Sequence, residues 1–272
     1  RAAPWRLILP DSVPADSPGI ALLPGAANMA IDQALFEAVQ QGAPPAIRFY
    51  RWNPACLSLG RNQVAVGFYD LEAAARRGID IVRRPTGGRA VLHDRELTYA
   101  VAVPVGVLGS PRETYVAVNR ALVAGLSRLG LPAAVAGETA RPAPAAGAGA
   151  QDGVLAFPAP GSAAALEWMA PCFQEAAPGE VTVGGRKVVG SAQRREGPAL
   201  LQHGSILLEG EQAVLLELVR GGPPPPPPHG TIGALLGRVP AWAELLSALV
   251  AGFESALGIT FTPVTLSAAE RD

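Results

Sequence analysis

The chain of 272 residues has little of what holds a metal, a disulfide framework or a nucleic acid. It carries 2 cysteines, Cys56 and Cys172, far apart in sequence and too few for a stapled scaffold or a structural metal site. Its 3 histidines, His93, His203 and His229, stand at no metal-ligand spacing from one another, so no metal is expected. Charged residues are 17 % of the chain and the formal net charge is −1. No global basic field exists to hold a polyanion, and no nucleic-acid partner is expected. No apolar run is long enough to cross a bilayer, and the apolar surplus is largely alanine, so no membrane partner is expected either. The segment from Arg1 lacks the basic start and apolar core of a secretion signal, which leaves the cytoplasm as the expected compartment. There is no P-loop, HExxH, GxSxG or CxxC. Gly147-Ala148-Gly149 fails the dinucleotide fingerprint because Asp152 stands where its third glycine belongs.

What is present is a chain 49 % hydrophobic, enough for a sizeable core and too apolar for a disordered one. Trp5 to Leu9 is strand-like. Asn28 reads as an N-cap for an amphipathic helix over Met29–Gln40, with Ile31, Leu35, Phe36 and Val39 on one face. Strands follow over Ile47–Trp52 and Cys56–Gly60, then a helix over Asp70–Arg77 and strands over Ile79–Val82, Ala90–Leu92 and Leu97–Pro104. Pro111–Leu129 is a long helix, and Gly184-Gly185 turns a hairpin between Val181–Val183 and Arg186–Val189. Gln202–Leu208 is a further strand and Ala241–Leu257 a closing helix. Strands dominate the middle without regular βα alternation, which points to an α+β fold with a mixed or largely antiparallel sheet flanked by helices. One domain over 1–272 is expected, with a low-complexity Ala/Gly/Pro insertion at about 131–165 and a stiff surface run at Pro223–Pro228.

Two stretches carry the chemistry. In Arg83-Arg84-Pro85-Thr86-Gly87-Gly88-Arg89-Ala90-Val91-Leu92-His93-Asp94 a basic pair enters a glycine turn, which lets backbone approach a ligand, and the arginines favour an anionic or carbonyl-bearing one. Gly184-Gly185-Arg186-Lys187-Val188-Val189-Gly190-Ser191-Ala192-Gln193 has the same turn-then-strand character and a lysine. They read as two walls of one site. Lys187 is either an edge-strand lysine reaching for water or a cation facing a cleft. Cys56 sits in an apolar strand and reads as a buried structural thiol. Cys172 lies in a loop between Pro171 and Pro178, where a thiol is more open to reaction. His93 is a packed residue of a turn or a site residue, and His203, beside Gly204 at the start of a strand, is a second site candidate. Tyr50, Trp52 and Tyr99 read as core aromatics rather than a platform for bases.

Taken together, the Arg83–Asp94 stretch followed by Glu96-Leu97-Thr98-Tyr99 resembles the signature of the lipoate/octanoate protein transferase and ligase family. Asn28-Met29-Ala30-Ile31-Asp32, Arg48-Phe49-Tyr50-Arg51-Trp52, Ser58-Leu59-Gly60, Gly185 to Gln193 and Gln202-His203-Gly204-Ser205 resemble its remaining motifs, in the same order. The resemblance implies the fold shared by biotin and lipoate protein ligases and class II synthetase cores. It is strongest to the cysteine-dependent octanoyltransferases: Cys172 stands 15 positions before Lys187, as their nucleophile stands before its activating lysine. ATP-dependent ligases of the family have Ser-Gly-Gly-Gly where this chain has Thr86-Gly87-Gly88-Arg89. Gln33 departs from the family's usual glutamate.

The implied reaction moves an octanoyl group from octanoyl-acyl carrier protein to a lysine of a lipoyl domain, in 2-oxoacid dehydrogenases or the glycine cleavage H protein. Cys172 carries it as a thioester, Lys187 lowers the thiol pKa, and no ATP or other cofactor is needed. Arg84, Thr86, Gly87, Gly88, His93, Ser191, Ala192, Gln193, His203 and Gly204 would form the substrate pocket, with backbone N–H groups near Gly87-Gly88 or Ser191-Ala192 as oxyanion donors. At about 0.8 kcal/mol per buried CH₂, the acyl tail contributes roughly 5 kcal/mol before losses. Three alternatives stay open at this point: an ATP- and Mg-dependent lipoate ligase, an amidotransferase between lipoyl domains, and a non-catalytic lipoyl- or biotin-binding module.

Overall fold

The first long helix, α1 (Gly25–Gln40), starts earlier than its sequence pattern, with Pro24 at the N-cap. Asn28 is therefore inside the helix, not its cap. Its side-chain amide donates to Leu23 O and Arg51 O at 3.1 and 3.0 Å, joining the helix to the chain on either side. The computed structural model describes residues 4–10, 20–65, 68–137, 176–210, 213–220 and 230–271.

Among the described residues the larger sheet has nine strands. Its path runs β12 (Phe261–Val264), β1 (Trp5–Ile8), β3 (Ala46–Trp52), β7 (Glu96–Pro104), β11 (Ala199–Leu207), β10 (Arg186–Glu196), β9 (Val181–Val183) and β8 (Ala133–Val135). β2 (Ala21–Leu23) continues beside β3 where β1 leaves off. The pairings of β12, β1 and β2 are parallel and those from β3 to β8 antiparallel, so the sheet is mixed, as expected. A second sheet places β4 (Cys56–Leu59) between β5 (Asp80–Arg83) and β6 (Val91–His93), and the glycine turn joins the last two. The shorter helices are α2 (Leu71–Arg76), α4 (Ala213–Glu217), α5 (Ile232–Leu236) and α7 (Ala268–Arg271).

The period of two fixes which face each strand residue serves. Ile47, Val101, Gln202 and Gln193 form one row across β3, β7, β11 and β10, and Phe49, Tyr99, Gly204 and Ser191 the next. This face meets α3 (Pro111–Arg128) and α6 (Trp242–Leu257): Ile47, Phe49, Tyr99 and Val101 share a core with Val118, Leu122, Leu126, Leu249 and Phe253. The alternate rows are Arg48, Ala100, His203, Ala192 and Tyr50, Thr98, Ser205, Gly190. There Tyr50 and Ala100 pack with Leu35, Phe36 and Val39 of α1.

Two differences from the sequence reading follow from pairing. β10 continues to Glu196 because β11 runs beside it to the end, which places Ser191, Ala192 and Gln193 within a strand. Residues 131–137, the start of the stretch read as an insertion, include β8, whose backbone completes the sheet against β9 despite its alanines. Positions 138–165 and Pro223–Pro228 lie outside the described residues.

Candidate active site

Polar residues on the α1 face of the sheet form two linked groups. The first centres on His203, which is buried. Its Nδ1 lies 2.8 Å from Oδ2 of Asp32 on α1, and its Nε2 2.6 Å from Oγ1 of Thr86 in the glycine turn. Asp32 also accepts from Arg48 Nη1 at 3.0 Å and from the Tyr50 hydroxyl at 2.8 Å. Arg48 in turn donates to Asn28 O and Oδ1. A buried guanidinium and a buried carboxylate thus neutralise each other while histidine and tyrosine complete the shell. Burial holds the His203 pKa below its ordinary value, against the Asp32 contact, which acts to raise it.

The second group centres on His93. Its Nε2 meets Ser58 Oγ at 2.7 Å and its Nδ1 meets Glu96 Oε1 at 2.7 Å, with Ser205 Oγ 3.1 Å from Nδ1. The ring stacks on Trp52 with centroids 4.1 Å apart, and the indole N–H donates to Thr98, whose hydroxyl donates to Glu96. His93 is therefore a buried residue facing the site, and Asp94 beside it is exposed.

The glycine turn is braced from within. Arg84 donates to Gly87 O, Arg89 O and Ser58 O at 2.7, 2.7 and 3.1 Å. Arg83 reaches Gly60 O and Gln63 O at 2.8 and 2.7 Å. The carbonyls these arginines meet are the protein's own, where their sequence context favoured an anionic or carbonyl-bearing ligand. Gly88 has φ +94°, a left-handed conformation that suits glycine, and Arg89 is exposed.

Between the two groups is a cavity of about 60 Å³. Arg84, Gly88, His93, Ser191, Ala192, His203 and Gly204, all expected at the site, line it, together with Met29, Tyr50, Trp52 and Val91 as apolar wall. Thr86 and Gly87 join through the contacts given above. Gln193 does not line it, and the hydrogen bonds of the Ser191 side chain lie on the other side of the sheet. Ser191 Oγ meets Tyr99 Oη at 2.7 Å and Asn119 Oδ1 at 3.2 Å, and Gln193 donates to Pro111 O at 3.0 Å, so both belong to the α3 face. A larger groove, about 1170 Å³, follows the outer side of α1, and among the described residues none of those expected at the site lines it.

Lys187 is the chain's only lysine. It is buried and its Nζ lies 2.6 Å from Glu180 Oε1, so it is not an edge residue reaching for water. Cys172 and His229 lie outside the described residues. Cys56 is buried, and burial pushes its thiol pKa up, with Asp80 and Glu96 adding to the effect, as befits a structural cysteine. The sequence reading did not pick out Asp32, Arg48, Ser58, Glu96 or Glu180 as site residues. Asn28 and Asp32, four apart on the buried side of an apolar helix, were the visible signal for the first two.

The sequence model of the lipoyl protein ligase A/B catalytic domain matches residues 24–254. The octanoyltransferase LipM of Symbiobacterium thermophilum is 42 % identical over 258 residues, covering 91 % of this chain and 88 % of its own. That of Geobacillus kaustophilus is 37 % identical over 262 residues, with 91 % and 88 % covered. Among solved structures, lipoate-protein ligase A bound with ATP superposes with a TM-score of 0.65 at 24 % identity, covering 98 % of this chain and 91 % of that one. A bi-partite lipoate protein ligase from Thermoplasma acidophilum, described with its E2 lipoyl domain, gives 0.64 at 23 %, with 98 % and 89 % covered. This chain shares the fold of both, and its own arrangement is α+β with a mixed sheet flanked by helices.

Proposed function

The chain belongs to the lipoyl protein ligase A/B catalytic-domain family, and we propose that within it this protein is an octanoyltransferase of lipoyl domains. The observation that carries the reading is the 42 % identity to an octanoyltransferase LipM across nine-tenths of the chain. The donor is octanoyl-acyl carrier protein. Cys172, as thiolate, attacks the thioester carbonyl; the donor's C–S bond breaks and its sulfur leaves as a thiol, taking up the proton Cys172 gave up. The neutral ε-amine of a lipoyl-domain lysine then attacks the S-octanoyl enzyme, the bond to Cys172 breaks, and the amine's surplus proton passes to the cysteine sulfur. An amide is more stable than a thioester, so the transfer runs without ATP.

Lys187 supplies the positive charge that favours a thiolate. The cavity beside Trp52, Tyr50 and Met29 receives the acyl group, and the braced glycine turn forms its roof. We read the whole chain, 1–272, as one catalytic domain, since β12 near its end pairs with β1 near its start. The fold is shared with ATP-using ligases, so the test is donor choice. With a lipoyl domain as acceptor, octanoyl-acyl carrier protein alone should give octanoylated domain. Modification that appears only with free lipoate, ATP and Mg would assign the ligase reaction instead.

A further inference from the structure

The wall of the cavity between the two histidine groups is stiff at almost every point. Tyr50 is tied through its hydroxyl to Asp32, and Trp52 through its indole N–H to Thr98 while it stacks on His93. His93 is held by Ser58 and Glu96, His203 by Asp32 and Thr86, and Arg84 by the carbonyls of its own turn. Moving any of these groups breaks a hydrogen bond in a buried place, where an unmade bond is costly. Val91 is β-branched and stiff at χ1, and Ala192 offers one methyl. Among the described residues that line the cavity, Met29 alone has a long, unbranched side chain that can change rotamer without breaking a hydrogen bond. It is 8 % exposed and packs with Tyr50 and Trp52. Its backbone cannot move with it. Asn28, the residue before, donates to Leu23 O and Arg51 O, and Asp32, three residues on, pairs with Arg48. The helix is thus fixed on both sides of Met29, and only the thioether is left to yield.

We propose that Met29 is the specificity-determining residue of the acyl cavity, and that its thioether sets the longest acyl chain the cavity accepts. The inference rests on the octanoyl-transfer reading above, in which this cavity receives the acyl group. A methylene that finds room in an apolar site strengthens binding about fourfold. A methylene without room must displace a wall atom, and overpacking a fixed wall reverses that gain. Met29 gives way by rotation; past that point the next groups to move are hydrogen-bonded. The limit on chain length therefore lies in the volume of one side chain. Shortening it to alanine removes Cγ, Sδ and Cε, which makes room for about two more methylenes.

The test compares eight- and ten-carbon chains on the full-length chain in two ways. Calorimetric titration with octanoate and decanoate reads the cavity without turnover, and kcat/KM with octanoyl- and decanoyl-acyl carrier protein reads the reaction. Wild type should prefer the shorter chain in both. In Met29→Ala the decanoyl-to-octanoyl ratio should rise about tenfold in both. Met29→Leu, nearly equal in volume, should keep the wild-type order. Val39→Ala opens a hole on the same buried side of α1 away from the cavity, and should keep that order too. A Met29→Ala ratio equal to that of wild type overturns the inference. An equal rise in Val39→Ala overturns it as well, since Met29 would then be one more packing residue of the helix. Should Met29→Ala fail to fold, Met29→Val, with one heavy atom fewer than methionine, is read by the same outcomes with a rise of about fourfold. Wild-type protein that binds octanoate but moves neither acyl group overturns the transfer reading, and the free-acid ratios then decide the role of Met29. Octanoyl transfer by wild type with an indifferent Met29 overturns this inference alone, and wild-type protein that neither binds nor transfers either chain overturns both.

Discussion

His203 Nε2 lies 2.6 Å from Thr86 Oγ1, and that contact fastens the glycine turn to the large sheet. The opposite ring nitrogen, Nδ1, faces Asp32 at 2.8 Å. A carboxylate accepts an N–H there, which leaves Nε2 to accept the threonine hydroxyl. The arrangement suits a neutral imidazole, and burial lowers the His203 pKa in the direction that keeps it neutral.

The first prediction is a pH dependence. The folded pKa of His203 lies below the unfolded value of about 6.5, so below that pH the unfolded chain binds a proton the folded one resists. The stability this group contributes is present above about pH 6.5 and is lost as pH falls through the folded pKa. Urea midpoints followed from about pH 8 to about pH 5 should fall less steeply in His203→Gln than in wild type. Parallel curves would contradict the assignment.

Thr86→Val keeps the shape of the side chain and removes its hydroxyl. Leaving His203 Nε2 without its donor in a buried place should cost about 1–3 kcal/mol. The same variant should raise KM for the octanoyl donor, since the turn it anchors carries Gly88 at the cavity wall. Urea denaturation and donor titration check the two effects separately.

Asp32→Asn removes the charge that balances buried Arg48. Breaking a buried pair from one side costs about 3–5 kcal/mol, so this variant should be among the least stable single substitutions on α1. Gln33→Ala, on the half-buried outer side of the same helix, should stay within about 0.5 kcal/mol of wild type. Equal stabilities would show that Arg48 is not held by Asp32.

Gly60 is a close approach rather than a flexible joint. A methyl at its Cα would stand 2.0 Å from Gly88 O. Gly60→Ala must therefore push the glycine turn away from β4. Donor KM should rise well beyond that of the Thr86 variant, with octanoyl-transfer kinetics as the readout.

The motif order was legible because each motif is a local necessity: a turn that needs glycine, a hairpin around Gly184-Gly185, a cation in a strand. Most helix and strand positions followed from periodicity. Facing was not legible. Ser191 and Ala192 are adjacent in sequence, yet the pleat sends one side chain to α3 and the other to the cavity side. Asn28 looked like a cap because caps and buried polar anchors use the same residue types. β2, β8 and β12 escaped because three or four residues paired by backbone carry almost no pattern of their own. Glu180 escaped because its partner is brought to it by a hairpin. The solitary lysine was visible in the sequence and pointed to the same place.

The central claim is covalent octanoyl transfer through Cys172, and intact mass spectrometry tests it directly. After mixing with octanoyl-acyl carrier protein and no ATP, wild type and Cys56→Ala should each gain one octanoyl group, because the Cys56 thiol is buried and held protonated. Cys172→Ala should gain none. An adduct that survives in Cys172→Ala, or no adduct on folded wild-type protein that modifies lipoyl domains only with ATP, would contradict the account.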